Sequence, residues 1–255
     1  MDPTNAAIII AALIFIVAVL YSTVGHAGAS GYLAAMALFG MTPLVMKPTA
    51  LVLNIIVAAI GTVRFYRAGF FSWKVFWPFA AASIPASFIG GSLTLPVPIY
   101  KSIVGIVLLY SAVRLFFSAT RAHDNKVKPV PIVLALIIGA LIGLLSGLTG
   151  VGGGIFLSPV LLLMHWAKTR ETSGVAVTFI LVNSVAGLLG HVSSVAAVPP
   201  EIIYWAPAAL FGGWIGTHLG THVLPIAGIR RWLSVVLVLA GAKLLWEAVT
   251  LLLHR

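Results

Sequence analysis

The sequence predicts an all-α polytopic membrane protein made of two inverted-topology repeats of about five helical segments each, with a broken or re-entrant helix pair starting each half. Three observations predict this fold class. The chain of 255 residues is 61% apolar and 8% charged, whereas soluble domains carry about 25% charged residues. Polar, glycine and proline positions recur at a spacing of 129 residues. The basic residues of the loops differ between the two halves in a way that orients them oppositely.

The composition also excludes several kinds of protein. There is no cysteine, so disulfides, thiol catalysis and cysteine-based metal or iron–sulfur sites are excluded. The net charge of +10 lies mostly in short loops between apolar runs, which is typical of membrane orientation rather than nucleic-acid binding. Asp2 has the wrong sign for the basic start of a signal peptide. We therefore interpret the first apolar run as a retained membrane segment.

The first repeat is predicted to occupy residues 1–117. A membrane helix needs about 20 apolar residues, within a range of roughly 17–25, and the long runs of this half lie close to that range. A break at Gly25–Gly31 separates the first run from a short apolar segment, 32–39, that either crosses the membrane or re-enters it. The predicted spans are 6–24, 48–63, 73–93 and 99–117.

A basic cytoplasmic linker, residues 118–130, is predicted to join the halves. The second repeat, residues 131–255, has the same layout as the first. Its break is Gly150–Gly154, where four of five residues are glycine, and its short segment is 155–166. The predicted spans of this half are 131–149, 172–192, 202–223 and 232–253.

The internal repeat is visible residue by residue. A shift of 129 places Asn54 on Asn183, and a shift of 125 pairs the two breaks. One register that matches amide, glycine, proline and cationic positions over more than 60 residues is not a chance match among apolar residues. The other matched pairs include Thr49 with Thr178, Gly61 with Gly190, Gly91 with Gly220, Pro96 with Pro225, Lys101 with Arg230, Gly25 with Gly150 and Gly28 with Gly153.

Loop charges predict that the two repeats are inverted relative to each other. The loop that follows span 48–63 carries three basic residues, whereas its repeat mate, 192–201, has one Glu and neither Lys nor Arg. The positive-inside rule places these loops on opposite sides of the membrane. We therefore expect the 118–128 stretch to be cytoplasmic and both termini to lie outside. Lys47 and Lys101 fall on the outer side and are exceptions to the rule.

The two breaks form the predicted binding site. Unpaired backbone groups are costly in hydrocarbon, so a break persists where protein or a water-filled cavity covers it. Breaks in corresponding positions of two halves are typical of the binding site of a secondary transporter. Helix N-termini there would direct N–H groups and positive dipole ends at an anion, and close helix packing is the alternative. The candidate glycines are Gly25, Gly28, Gly150, Gly152, Gly153 and Gly154.

Polar residues near the breaks complete the candidate site. His26 lies in the first break, where an imidazolium would neutralise an anion and a neutral structural imidazole is the alternative. Asn54 and Asn183 lie inside apolar runs, where their amides either face the substrate or join helices through hydrogen bonds. Thr49 and Thr178 are their neighbours and take either role.

The positions of the acidic residues indicate the charge of the substrate. The five acids are not near the breaks or the two asparagines, whereas cation carriers and proton relays usually place Asp or Glu at such sites. We therefore expect a small anionic substrate, no metal site and no cofactor, with the lipid bilayer as the other partner and a homodimer allowed. A cation or metal transporter that uses membrane histidines such as His218 and His222, and an intramembrane enzyme, stay as alternatives.

The chain resembles the TauE/SafE family of sulfite-exporter-type membrane permeases over roughly residues 6–252. The resemblance rests on the duplicated half and on three stretches: Gly-Leu-Thr-Gly-Val-Gly-Gly-Gly at 147–154, Val-Gly-His-Ala-Gly at 24–28 and Gly-Thr-His-Leu-Gly at 216–220. It implies an inner-membrane carrier of small sulfur-containing or organic anions such as sulfite, thiosulfate or sulfonates. Alternating access at a midplane site is the mechanism expected for such a carrier.

Overall fold

The structure, a computed structural model, describes residues 3–117, 127–192, 198–222 and 227–253, and its regular elements in these ranges are ten α-helices. This confirms the all-α fold class. Residues 118–126 of the predicted linker lie outside the described residues. The helices are α1 Pro3–Ser22, α2 Ala29–Leu38, α3 Pro43–Arg67, α4 Trp73–Ser92, α5 Val97–Phe117, α6 Ile132–Thr149, α7 Gly154–Leu163, α8 Thr169–Val192, α9 Ile202–His222 and α10 Ala227–Leu253.

Several of these helices have the length and composition of membrane spans. Within the described ranges, five meet both requirements, and the chain is a multi-pass membrane protein. Helices α4, α9 and α10 are 20, 21 and 27 residues long and pack against these five. The qualifying segments are Asn5–Ser22, Pro43–Arg67, Val97–Arg114, Ile132–Thr149 and Thr169–His191.

The helix order of the two halves matches, and so do several contacts between their long helices. Each half has one long helix, a short helix of 10 residues and three long helices. Helix α4 packs on α6 and α8, and its repeat mate α9 packs on α1 and α3, which are the mates of α6 and α8. The pairs α3–α8 and α5–α10 each join a helix to its own mate. Two related halves are expected to give this pattern, and both the pseudo-twofold relation and the inverted orientation of the halves in a membrane stay predictions.

Glycine stripes on two helices of the second half bring their backbones into contact with helices of the first half. A Cβ atom at Gly143 of α6 would lie 2.3 Å from Ser83 O of α4, and one at Gly216 of α9 would lie 2.2 Å from Val19 O of α1. No side chain fits at such separations, so the backbones approach as closely as in other small-residue membrane interfaces. The two stripes are Gly139, Gly143 and Gly147 on α6 and Gly212, Gly216 and Gly220 on α9.

Lys47 and Lys101, which the sequence predicts to lie on the outer side, have partners inside the fold. Lys47 is 4% exposed, and its Nζ donates to Gly91 O at 2.9 Å and, at 3.3 Å, to the carbonyl oxygens of Gly90 and Leu93. These oxygens belong to the C-terminal end of α4, where a cation is favoured by the helix dipole. Lys101 of α5 pairs with Glu247 of α10 at 2.7 Å. Both positions are therefore explained by packing rather than by loop orientation.

Candidate functional site

Each half has a break between its first long helix and its short helix, and the two breaks share a backbone conformation. Gly25 and its repeat mate Gly150 have φ angles of 74° and 83°, and Gly28 and its mate Gly153 have φ angles of 107° and 81°. All four lie in the left-handed region, which glycine occupies without the steric cost of a Cβ atom. The breaks predicted at these glycines are present, and the matching φ angles support the repeat.

The second break has a further glycine where the first has alanine. Gly152 has φ of 81°, and a Cβ atom there would lie 2.8 Å from both Asn54 Nδ2 and Ile180 Cγ2. Gly154 is the first residue of α7, and its Cβ atom would lie 2.5 Å from Ile180 Cδ1. A side chain would not fit at either glycine, which agrees with the alternative interpretation that these glycines allow close helix packing. Ala27, the mate of Gly152, lies at the first break.

In the first break, carbonyl oxygens are paired with side chains. Tyr32 OH donates to Ala27 O at 2.5 Å, and Tyr32 is fully buried. His26 Nδ1 lies 3.2 Å from Val24 O. Buried carbonyl groups need such partners because no water reaches them in hydrocarbon.

The second break satisfies its carbonyl oxygens in a similar way, with donors from neighbouring helices. Tyr100 OH of α5 donates to Thr149 O at 3.2 Å, and Asn54 Nδ2 of α3 donates to Val151 O at 3.3 Å. Once carbonyl oxygens are paired, the groups that a helix start offers to a ligand are its first N–H donors, which have no intrahelical acceptor.

The two breaks meet at a small pocket. The space between the lining atoms, counted together with its open surroundings, is about 190 Å³, and the enclosed part is about the size of one water molecule. The first break and the first turn of α2 line one side, and Val151, Ile155 and Ile180 line the other. The lining residues are Tyr21, His26, Ala27, Gly28, Ala29, Ser30, Val151, Ile155 and Ile180.

The polar side of this pocket is rich in hydrogen-bond donors. The first turn of α2 has N–H groups without intrahelical acceptors, and the helix dipole places partial positive charge there. Tyr21 OH and Ser30 Oγ lie 2.8 Å apart and are buried. No Asp or Glu is among the lining residues. The arrangement therefore suits a small anion better than a cation.

His26 connects the first broken pair to the second. Its Nε2 lies 3.2 Å from Ser158 Oγ of α7, and Ser158 Oγ donates to Gly154 O at 2.9 Å. The predicted position of His26 at the site is consistent with its place in the pocket lining. Ser158 was not among the sequence candidates, because a serine beside a proline in a short apolar helix resembles a helix interruption.

The two asparagines differ in what their amides contact. Asn54 Nδ2 donates to Val151 O in the second break and to Ser184 Oγ of α8, both at 3.3 Å. Asn183 Nδ2 donates at 2.8 Å to Phe179 O in its own helix. Both side chains are fully buried, and the Oδ1 atom of each has no hydrogen-bond partner. Asn54 thus reaches a break, whereas Asn183 does not contact the pocket lining through these bonds.

The two threonines make the same local contact. Thr49 Oγ1 donates to Val45 O at 2.6 Å, and Thr178 Oγ1 donates to Gly174 O at 2.9 Å. Each bond joins a hydroxyl to the carbonyl four residues earlier in the same helix. Neither threonine is part of the pocket lining, and their role in substrate binding stays a prediction.

Sequence reasoning missed the tyrosines of the site. Tyr21 and Tyr32 flank the first break, and Tyr100 reaches the second from α5. In an apolar sequence a tyrosine resembles a residue of the membrane interface, so its type alone does not reveal a partner. The nearness of Tyr21 and Tyr32 to Gly25–Gly31 was the signal that could have found them.

A metal site was the main alternative to an anion site. Within the ranges that the structure describes, no three residues of the types His, Cys, Asp and Glu are grouped so that they could hold a metal ion. His218 stacks on Trp214, with ring centroids 6.4 Å apart. Glu247, an acid within a helix, is paired with Lys101 and, at 3.8 Å, with Lys243.

Comparison with known proteins gives a consistent result. The family described as sulfite exporter TauE/SafE matches residues 10–244. A probable membrane transporter protein of Sinorhizobium fredii, y4hK, is 44% identical over 94% of this chain and 98% of its own length. A probable membrane transporter protein of Bacillus subtilis, YdhB, is 22% identical over 92% of this chain and 98% of its own. The sulfite exporter TauE/SafE family protein 3 of Arabidopsis thaliana is 25% identical over 58% of this chain and 30% of its own. No solved structure matches.

Proposed function

Because this chain belongs to the sulfite exporter TauE/SafE family of membrane transporters, we propose that it carries a small sulfur-containing or organic anion across the inner membrane by alternating access. Sulfite, thiosulfate and sulfonates are the substrate class. The binding site is the pocket at which the two breaks meet, and both termini lie outside.

One observation supports the proposal most strongly: the pocket combines a helix start with a lining free of carboxylates. The first turn of α2 lines it, and Ala27 O just before that turn is paired with Tyr32 OH. An anion at this place meets N–H and O–H donors and the positive end of a helix dipole. A cation at this place would be repelled by the partial positive charge of the same donors and of the helix start.

The packing of the helices suits alternating access. The first broken pair meets the second at the pocket through Val151, Ile155 and the His26–Ser158 contact. Helix α4 with α6 and α8, and helix α9 with α1 and α3, form two similar groups of helices. A rocking motion of one repeat against the other would open the pocket to each side of the membrane in turn.

Uptake into proteoliposomes tests the function. Purified protein is reconstituted, and labelled sulfite, thiosulfate and sulfoacetate are offered separately, with labelled Zn²⁺ and Na⁺ as cation arms. We expect saturable movement of at least one anion and of neither cation. Movement of a cation without any of the anions would favour the histidine-based alternative, and conversion of an anion to a product would favour an enzyme.

A pair of variants links the transport to the pocket. Ser30→Ala removes a hydroxyl from the pocket, and Ser92→Ala removes the hydroxyl of a half-buried serine that bonds its own helix at Ile89 O. We expect the first to raise the KM of the transported anion about 10- to 150-fold, since a hydrogen bond to a charged group contributes about 1.5–3 kcal/mol. Equal KM values for the two variants would place the site elsewhere.

A further inference from the structure

The guanidinium of Arg64 is held against a helix of the other half. Arg64 lies in the last turn of α3, and its Nη1 donates to Trp214 O of α9 at 2.7 Å. Its Cζ lies 4.9 Å from the centroid of the Trp214 ring, which stacks on the ring of His218 with an interplanar angle of 12°. The hydrogen bond and the cation–π contact together fix the position of the charge.

Helices α3 and α9 run side by side in the same direction. A Cβ atom at Gly213 of α9 would lie 2.8 Å from Val57 Cγ1 of α3, and one at Gly61 of α3 would lie 3.4 Å from Thr217 Cγ2 of α9. A step of four residues along α3 thus corresponds to a step of four residues along α9. Residues of α3 beyond Gly61 therefore lie beside residues of α9 beyond Thr217.

The side chain of Arg64 points towards the middle of the membrane. Arg64 follows Gly61, so its backbone lies beyond the level of Thr217, whereas its guanidinium contacts Trp214, which precedes Thr217. Helical side chains lean towards the start of their own helix, and this direction leads here from the end of α3 into the bilayer. An arginine near a helix end more often extends its charge towards water.

The surface on which the guanidinium lies faces lipid. The Trp214 side chain is 54% exposed, and the neighbouring apolar side chains of α9, Phe211 and Ile215, are exposed as well. Exposed apolar residues on a helix of a membrane protein contact lipid, and tryptophan is enriched where the acyl chains meet the headgroups. The charge of Arg64 is therefore placed at the lipid boundary and not in the pocket between the breaks.

The contacts of Arg64 leave most of its donors available. A guanidinium has five N–H groups, and in the part of the chain that the structure describes its hydrogen-bond acceptor is Trp214 O. The ion pairs found in the same ranges both involve Glu247 of α10, so no carboxylate there balances the charge of Arg64. A charge at the edge of hydrocarbon is costly without a partner, and a phosphate group accepts two parallel hydrogen bonds from arginine.

This arrangement is present at one end of the repeat pair only. A shift of 129 places Arg64 on Ser193 and Trp214 on Pro85, and neither of these residue types offers a cation or an indole ring. The loop charges predict that the Arg64 end of α3 is cytoplasmic. Anionic lipids are concentrated in the cytoplasmic leaflet, so the expected side of the membrane and the sign of the charge agree.

We propose that Arg64 and Trp214 form a binding site for one anionic phospholipid of the cytoplasmic leaflet. The guanidinium binds the lipid phosphate, and the Trp214 ring and Phe211 pack against the adjoining acyl chain. The site lies between α3 and α9, which are helices of different halves, and it goes beyond the proposed anion transport because it does not depend on the substrate.

Binding of single lipids tests this inference. The full-length protein is freed of lipid in a neutral detergent and titrated with phosphatidylglycerol or with phosphatidylcholine of the same acyl chains, and native mass spectrometry counts the first bound lipid. We expect phosphatidylglycerol to bind about 10- to 150-fold more tightly, since its charge is balanced by Arg64 whereas the choline group already balances the other phosphate.

Two variants assign this preference to Arg64. Arg64→Gln removes the charge and should bind both lipids with equal affinity. Lys168→Gln removes one charge from an exposed residue at the same end of the helices, where Arg170 lies over the Phe70 ring at 5.0 Å. It should keep the preference within about threefold, because exposed charges are screened at about 0.15 M ionic strength.

A second measurement leaves Arg64 in place and decides the question if Arg64→Gln does not fold. The fluorescence that Trp214→Phe loses belongs to Trp214, and the phenyl ring that replaces the indole keeps an aromatic face for Arg64. In nanodiscs, we expect phosphatidylglycerol with brominated acyl chains to quench this share more strongly than brominated phosphatidylcholine at the same mole fraction.

The outcomes separate a lipid site from general charge attraction. Equal affinity of the unaltered protein for both lipids would overturn the inference, and so would a preference that Arg64→Gln keeps or that Lys168→Gln loses. Equal quenching of Trp214 by the two brominated lipids would do the same. If inorganic phosphate displaces phosphatidylglycerol at a similar concentration, the site takes a soluble anion and the lipid assignment is wrong.

Discussion

The two breaks have the same backbone turn but different side chains. The first, around His26 and Ala27, supplies most of the polar lining of the pocket, whereas the second supplies Val151. The second is also held by donors from α3 and α5, through Asn54 and Tyr100. The two breaks thus share the backbone geometry beside the pocket, while their side chains present different chemistry to it.

The largest effect should come from crowding the more tightly packed break. Gly152→Ala adds a Cβ atom at φ of 81°, 2.8 Å from Asn54 Nδ2 and Ile180 Cγ2. The left-handed conformation costs a residue with a Cβ atom about 1–2 kcal/mol, and overpacking adds about 1–3 kcal/mol. We expect the free energy of unfolding, measured by denaturation in detergent micelles, to fall by the sum of both terms.

Gly40 provides a matched control for this substitution. It has φ of 73°, and a Cβ atom there would meet nothing within 4 Å. Gly40→Ala should therefore lose only the conformational part, about 1–2 kcal/mol. Equal losses of unfolding free energy in the two variants would show that the second break has room for a side chain. The two breaks would then differ in their residue types and not in how tightly they are packed.

The asparagine pair should give the next largest effect. Asn54→Ala removes the donor to Val151 O, and an unsatisfied buried carbonyl costs about 1–3 kcal/mol. Because Val151 lines the pocket, we expect transport of the identified anion to fall about 5- to 150-fold. Asn183→Ala removes a bond within one helix, and we expect a smaller loss of transport.

Initial rates in proteoliposomes, corrected for the amount of folded protein, compare the two variants. If Asn183→Ala loses as much transport as Asn54→Ala, the symmetric pair of donors predicted from the sequence would describe the site better than the contacts do.

Lys243 allows a test of how the first broken pair is held in place. Its Nζ donates to Ala37 O and Leu38 O at 2.8 and 2.9 Å, at the end of the short helix whose first turn lines the pocket. Lys243→Met leaves these carbonyl groups and Glu247 with fewer partners, and we expect a loss of about 1–2 kcal/mol in unfolding free energy. Lys74→Met, at an exposed lysine on α4, is the control and should change stability by less than about 0.5 kcal/mol.

The sequence contained enough information to locate the breaks. Glycines at matched spacing predicted the turns at Gly25, Gly28, Gly150 and Gly153, because left-handed φ angles restrict the residue type. The order of long and short helices followed from apolar lengths for a similar reason, since bilayer thickness fixes how long a spanning run must be.

Partners across the fold were not predictable in the same way. Asn54 and Asn183 are equivalent in the repeat, yet one donates to a break and the other to its own helix. Which asparagine reaches a break depends on how its helix is rotated about its own axis and on the side chains between the asparagine and the break. The spacing of residues in an almost uniformly apolar sequence does not determine that rotation. Lys47 is a second example. In the sequence it is an exception to the positive-inside rule, and in the fold its Nζ donates to three carbonyl oxygens of another helix end.

The smallest effect should come from the threonine pair, which makes the same contact in both halves. Thr49→Val and Thr178→Val each remove a hydroxyl bonded to the carbonyl four residues earlier, and hydrogen bonds within membrane proteins contribute about 0.6 kcal/mol on average. If this bond is their whole role, both variants should keep the KM of the identified anion and change the transport rate by less than about threefold. A KM that rises in one variant alone would show that the threonine of that half contacts the substrate, and the difference between the two breaks would then extend from their turns into α3 and α8.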